Sequence, residues 1–153
     1  MNKFIDHTLL SSIATQQDIQ NLCEEAIAYQ FATVCINSSY VKVASELLKY
    51  SDVKVCTVVG FPLGASSTHS KVEEAKQAIE DGAEEIDMVI HQGKLKNHDF
   101  EYVINDISTV KQAIGSHTLK VILEICNFTN KEIAKASQLA EEAGADYIKT
   151  STG

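Results

Sequence analysis

Apolar residues recur along this chain in two rhythms that take turns. The first rhythm has apolar positions three and four apart, the mark of an amphipathic helix. Ile19, Leu22, Cys23, Ala26 and Ile27 make one such face, with Thr15 placed to cap it. Tyr40, Val41, Ala44, Leu47 and Leu48 make a second. Val72, Ala75 and Ile79 make a third, opened by Ser70-x-x-Glu73 and closed at Gly82. Val103, Ile104, Ile107, Val110 and Ile114 make a fourth, stopped at Gly115. Ile133, Ala136, Ala140 and Ala143 make a fifth, between the capping box Thr129-x-x-Glu132 and Gly144. The second rhythm is a short, nearly unbroken apolar run rich in β-branched residues. Thr33–Ile36, Lys54–Val59, Glu85–Ile90, Leu119–Glu124 and Asp146–Thr150 read this way, and Phe4–His7 is a candidate first strand. Strands covered on both faces lack polar alternation, as in a parallel sheet wrapped by helices.

Strand and helix alternate at intervals of roughly 20–35 residues, the signature of consecutive βα units. Two α/β architectures fit, an open doubly wound sheet and a TIM-type (β/α)8 barrel. An open sheet usually carries a glycine-rich phosphate turn after an early strand. No G-x-G-x-x-G is present, and Gly60-Phe-Pro-Leu-Gly64 has neither that spacing nor a Walker spacing. Polar residues stand instead near the expected C-terminal ends of several strands: Asp6-His7, Asn37, Asp87, Glu124 and Lys149. A barrel builds its active site from such positions, so the barrel is the expected fold. A full barrel takes ~200–250 residues, whereas this chain has 153 and about six strands. The expectation is one incomplete barrel domain over residues 1–153, lacking its last two strands.

Composition narrows the function. Net charge is −8, and all 13 basic residues are lysine. A nucleic-acid binder needs a basic footprint, so that partner is not expected. No apolar run approaches the roughly 20 residues of a spanning helix, nor does a signal-like segment follow Lys3. Cys23, Cys35, Cys56 and Cys126 show no C-x-x-C spacing and read as reduced, mostly buried thiols of a cytoplasmic protein. The five histidines lack ligand spacing, so no metal or other cofactor is expected. Ser11-Ser12, Ser38-Ser39 and Ser66-Ser67 lack a nucleophile-elbow context and read as turns and caps.

An internal echo carries the chemistry. Gly82-Ala-Glu-Glu-Ile-Asp87 and Gly144-Ala-Asp-Tyr-Ile-Lys149 repeat one phrase: helix stop, alanine, two residues, isoleucine, charged residue. The sixth position then falls at the same height on two strands, on the face opposite the isoleucine. Lys120, Ile122 and Glu124 share one phase of a third strand. A lysine on a central strand loses hydration, which favours the neutral amine. A neutral amine attacks a carbonyl to form an imine, an electron sink for carbon–carbon bond chemistry. A nearby carboxylate shuttles the protons. The plainer readings are a solvated lysine at a strand end, a structural carboxylate, or a buried ion pair of the two.

Four segments resemble the deoxyribose-phosphate aldolase family in order and spacing. They are Ile5-Asp6-His7-Thr8-Leu9-Leu10, Val55-Cys56-Thr57-Val58-Val59-Gly60-Phe61-Pro62-Leu63-Gly64, Gly82-Ala83-Glu84-Glu85-Ile86-Asp87-Met88-Val89 and Gly144-Ala145-Asp146-Tyr147-Ile148-Lys149-Thr150-Ser151-Thr152-Gly153. The resemblance implies a (β/α)8 barrel and a class I, Schiff-base aldolase without a metal. It implies reversible cleavage of 2-deoxy-D-ribose 5-phosphate to acetaldehyde and D-glyceraldehyde 3-phosphate. By the same resemblance Lys149 is the imine-forming lysine and Asp87 the proton relay, while Lys120 and Asp6 line the site.

The sequence also departs from the family pattern. The family's second active-site lysine and its later phosphate-holding Gly-Gly and Ser loops have no counterpart among these residues. Ser11-Ser12 stands for a usual Lys-Pro, Ile125 for a common threonine after the glutamate, and Ser38-Ser39-Tyr40 lacks a common proline. A cation beside the nucleophile keeps it neutral, so the expectation is a weaker nucleophile unless Lys120 substitutes. The alternative expectation is a catalytically impaired fragment that pairs with a missing half. First and last strands left unpaired predict a homo-oligomer joined through strand edges.

Overall fold

The computed structural model describes every residue, Met1–Gly153. Six strands, β1 (Asp6–Leu9), β2 (Thr33–Ile36), β3 (Lys54–Val59), β4 (Glu85–Val89), β5 (Thr118–Ile122) and β6 (Tyr147–Lys149), lie in one sheet in sequence order. Six helices connect them, two of them between β4 and β5: α1 (Gln16–Tyr29), α2 (Val41–Leu48), α3 (Thr68–Glu80), α4 (Gln92–Lys96), α5 (Phe100–Ile114) and α6 (Asn130–Glu142). The pairs β1–β2, β2–β3 and β5–β6 run parallel, as strands joined by helical crossovers must.

By compactness the chain divides into two units, Met1–Val58 with Gln77–Glu85, and Val59–Lys76 with Ile86–Gly153. In the first, β2 is buried along its whole length, which explains its unbroken apolar run. A capping box opens α1: Asp18 N–H donates to the Thr15 hydroxyl at 3.3 Å, and the Asp18 carboxylate accepts Thr15 N–H at 2.8 Å. The helix then buries Ile19, Leu22, Cys23 and Ala26. In the second unit α5 buries Val103, Ile107, Val110 and Ile114. The Thr129–Glu132 box opens α6, which buries Ala136, Leu139 and Ala140.

The structure corrects several local expectations. The first strand is Asp6–Leu9 rather than Phe4–His7, because Asn2–Phe4 close a 3-10 turn. Ser67 rather than Ser70 opens α3, its hydroxyl accepting Ser70 N–H at 3.2 Å. The segment 92–96 is a short helix without a strong apolar period, which is why pattern alone passes over it. β5 ends at Ile122, and Glu124 has left-handed backbone (φ 59) beyond it. Three thiols are buried, but Cys126 is exposed. No helix is long and apolar enough to cross a membrane.

Candidate active site

The echo in the sequence has a structural cause. After α3, Gly82 N–H donates to Ile79 O at 3.0 Å and Ala83 N–H to Ala78 O at 2.9 Å. After α6, Gly144 N–H donates to Glu141 O and Ala145 N–H to Ala140 O, both at 3.0 Å. Both helices thus end in a reverse turn that satisfies their last carbonyls. The chain enters the next strand with the same count of residues, so Asp87 is third in β4 and Lys149 third in β6.

Register then gathers the charged side chains. Lys120 pairs with Tyr147 and Ile122 with Lys149 across β5 and β6, so the two lysines project from one face, two residues apart. On the other side of β5, Ile90 N–H donates to Ile122 O at 3.0 Å. Asp87 meets both amines. Its Oδ2 accepts the Lys149 ammonium, and its Oδ1 lies 3.4 Å from Lys120 Nζ. The Asp87 side chain is fully buried, Lys120 is 9% exposed and Lys149 29%. A sealed carboxylate therefore faces two amines, of which Lys149 is the more accessible.

The backbone around Lys149 is fixed on one side. Leu123 N–H donates to Lys149 O at 3.0 Å and Ile125 N–H to Thr150 O at 2.9 Å, extending the β5–β6 ladder past both strands. The Thr152 hydroxyl donates to the Glu124 carboxylate. Glu124 was expected in phase with Lys120. It instead leaves the strand at a left-handed residue and serves the segment after Lys149.

Asp6 belongs to the first unit. It opens β1, in register with Thr33 at the start of β2, and its Oδ1 accepts the Thr33 hydroxyl at 2.9 Å. The expected position at the C-terminal end of the strand is therefore corrected, since the strand starts two residues later than its apolar pattern suggests.

Pattern reading missed a second charged cluster near β4. Lys71 of α3 and Asp106 of α5 form a fully buried ion pair at 2.6 Å. Thr68 Oγ1 donates to the other Asp106 oxygen at 2.7 Å, and Lys71 Nζ also donates to Val89 O at 3.1 Å. Burial pushes the Lys71 amine below its ordinary range, while Asp106 pulls it back up. A lysine next to the apolar stripe of Val72 and Ala75 gives no periodic sign of being inside; a close partner on another helix is visible only in three dimensions.

Comparison with known proteins agrees with this architecture. The sequence model of the DeoC/LacD family of aldolases matches residues 1–153. A deoxyribose-phosphate aldolase of Clostridium botulinum (strain Langeland) is 59% identical over all of this chain and 72% of its own length. One from Mycoplasma mycoides is 55% identical over all of this chain and 78% of its own. Among solved structures, a Coccidioides immitis protein superposes with TM-score 0.97 at 45% identity, covering 99% of this chain and 60% of that one. A tetrameric deoxyribose phosphate aldolase from Aeropyrum pernix superposes with TM-score 0.88 at 35% identity, covering 99% and 64%. This chain thus spans about three-fifths of the solved structures named here. Its fold is an incomplete TIM-type barrel, with six of the eight strands of that architecture.

Proposed function

This chain belongs to the DeoC/LacD family of aldolases, and on that premise we propose that it acts as a deoxyribose-phosphate aldolase, with Lys149 forming the imine. The reaction is the reversible cleavage of 2-deoxy-D-ribose 5-phosphate to acetaldehyde and D-glyceraldehyde 3-phosphate, which makes the protein a carbon–carbon lyase. One observation supports the residue assignment above all: a single buried carboxylate, Asp87, lies between the amines of Lys149 and Lys120. Two amines thus share close contact with one carboxylate. A cation beside an amine favours loss of its proton, and the more exposed of the two amines is Lys149. Lys120 thereby acts as the second cation beside the nucleophile.

The chemistry follows from that arrangement. Lys149 Nζ attacks C1 of the open-chain sugar, and loss of water leaves an iminium. As the C3 hydroxyl gives up its proton, the C2–C3 bond breaks and its electron pair moves into the iminium as an enamine. The three-carbon aldehyde leaves. Protonation at C2 and hydrolysis then return the amine and release acetaldehyde. Asp87 holds and returns the protons, the general acid–base role that suits a carboxylate in contact with the reacting nitrogen. Asp6, bonded to Thr33, orders β1 against β2 and is left outside this sequence of steps.

The test is direct. The protein is incubated with acetaldehyde, reduced with borohydride and digested for mass spectrometry. An ethyl adduct on Lys149 is expected, lost in Lys149→Met. A folded sample with no adduct, or with one on Lys120 alone, would overturn the assignment. We further assign the protein to the cytoplasm, since its four cysteines are free thiols, one of them exposed. Self-association is part of the same reading, supported by the apolar exposure of Tyr147 and Ile148 on β6 and of Phe4 and Ile5 before β1.

A further inference from the structure

A lysine with no exposed side-chain area is unusual unless it is paired, and Lys71 is both fully buried and paired. Such a pair is weak evidence of a stabilising role. Taking two charges out of water costs about as much as their attraction returns, and apolar replacements of similar volume are often neutral or stabilising. What the pair touches is more informative. Lys71 Nζ donates to the carbonyl of Val89, two residues after Asp87 and on the same phase of β4. Its partner Asp106 uses both oxygens, one for Lys71 and one for Thr68. The lysine stem also supports the turn after β3: a Cβ on Gly60 would come within 2.9 Å of Lys71 Cε. A helix, a second helix, a turn and the last residue of β4 therefore meet at one ammonium group.

Resting on the aldolase reading above, we infer that Lys71 and Asp106 are positioning residues, which fix the end of β4 so that the Asp87 carboxylate stays between Lys149 and Lys120. Neither touches a reacting atom. A positive charge with directed donors holds a carbonyl in one place, which an apolar side chain cannot do. The effect reaches catalysis through the two-residue span from Val89 to Asp87, because a proton relay tolerates little displacement. Misplacement by about 1 Å at a reacting centre costs about 100-fold in rate.

The experiment uses the paired replacement Lys71→Met with Asp106→Leu, which removes both charges together and leaves no unpaired charge. A second pair, Lys71→Met with Asp106→Asn, retains a partner for Thr68 and serves if the leucine fails to pack. Thermal unfolding and hydrogen exchange are compared with the parent, along with the rate of acetaldehyde trapping at Lys149 across pH. The expected result is unfolding close to that of the parent and exchange of the Met88, Val89 and Ile90 amides faster by about tenfold or more, with α5 and α6 unchanged. Trapping at Lys149 falls by about 10- to 100-fold, with a displaced pH profile. A variant as stable as the parent with parental β4 exchange and parental trapping would overturn the inference. Exchange and trapping separate the two readings. If the parent traps no aldehyde, the aldolase assignment fails, while the β4 exchange still decides whether Lys71 fixes that strand.

Discussion

Asp87 is the residue on which the site's charge balance turns. Its carboxylate is fully buried and in contact with two amines, so on the proposed mechanism its replacement should act on both proton transfer and the ionisation of Lys149. Asp87→Asn keeps the shape and removes the charge; borohydride-trapped adduct should form about 100- to 10,000-fold more slowly, the usual span of general acid–base catalysis. Lys120→Met removes the amine that lies 3.4 Å from Asp87 Oδ1. On the proposed mechanism a neighbouring cation helps keep the Lys149 amine neutral, so trapping near neutral pH should fall. The loss should shrink as pH is raised. A Lys120→Met protein that traps at the parental rate across pH would remove Lys120 from the mechanism. At this scale the sequence was informative for Lys149 and Asp87, because the repeated phrase from Gly82 and Gly144 fixes their heights. It was silent on Lys71 and Asp106, whose partnership joins residues 35 apart on two helices.

The elements owe their limits to local chemistry that is mostly readable. Thr15 and Thr129 cap α1 and α6 through boxes closed by Asp18 and Glu132. Glu132 accepts Thr129 N–H at 2.7 Å and also takes the Lys96 ammonium, and these contacts lower its pKa to about 2 from 4.5. A folded pKa below the unfolded one means that the charged form stabilises the fold. That contribution is complete above about pH 4.5 and is lost as pH falls through about 2. Glu132→Gln should therefore lower the melting temperature at pH 7, with the difference from the parent narrowing toward pH 2. Two melting curves that stay parallel over that window would remove Glu132 from the pH dependence. A second element-scale prediction concerns the turn after β3. Gly64 has φ +68, and a Cβ there would lie 2.1 Å from Ile90 O. Gly64→Ala should destabilise by about 2–3 kcal/mol in denaturant unfolding, since a left-handed alanine and a backbone clash add. Where pattern reading slipped, at Phe4–His7 and Glu124, an apolar or alternating run continued past a backbone turn that hydrophobicity does not encode.

For the whole molecule, six strands in sequence order were legible because crossover connections place each strand beside its predecessor. The strand order is sequential throughout. β6 has only three residues, and Tyr147 and Ile148 on it are 63% and 43% exposed. Exposed apolar side chains of this kind favour association with another chain. Light scattering over a concentration series should show association, weakened by Ile148→Lys, which puts a charge on that strand. A dispersed monomer at the highest concentration would contradict the homo-oligomer. The net charge of −8 makes that association steeper in added salt, because screening lowers the repulsion between copies.

Hydrophobic period, caps and helix stops are local, and they were enough to set the alternation of elements, the fold class and the common height of Asp87 and Lys149. What only the folded chain decided is which charges share a space: Lys120 beside Asp87, Lys71 beneath Val89, Asp6 beside Thr33. The physical reason is that period records which face a residue occupies, whereas a charge partner depends on register and packing between elements distant in sequence.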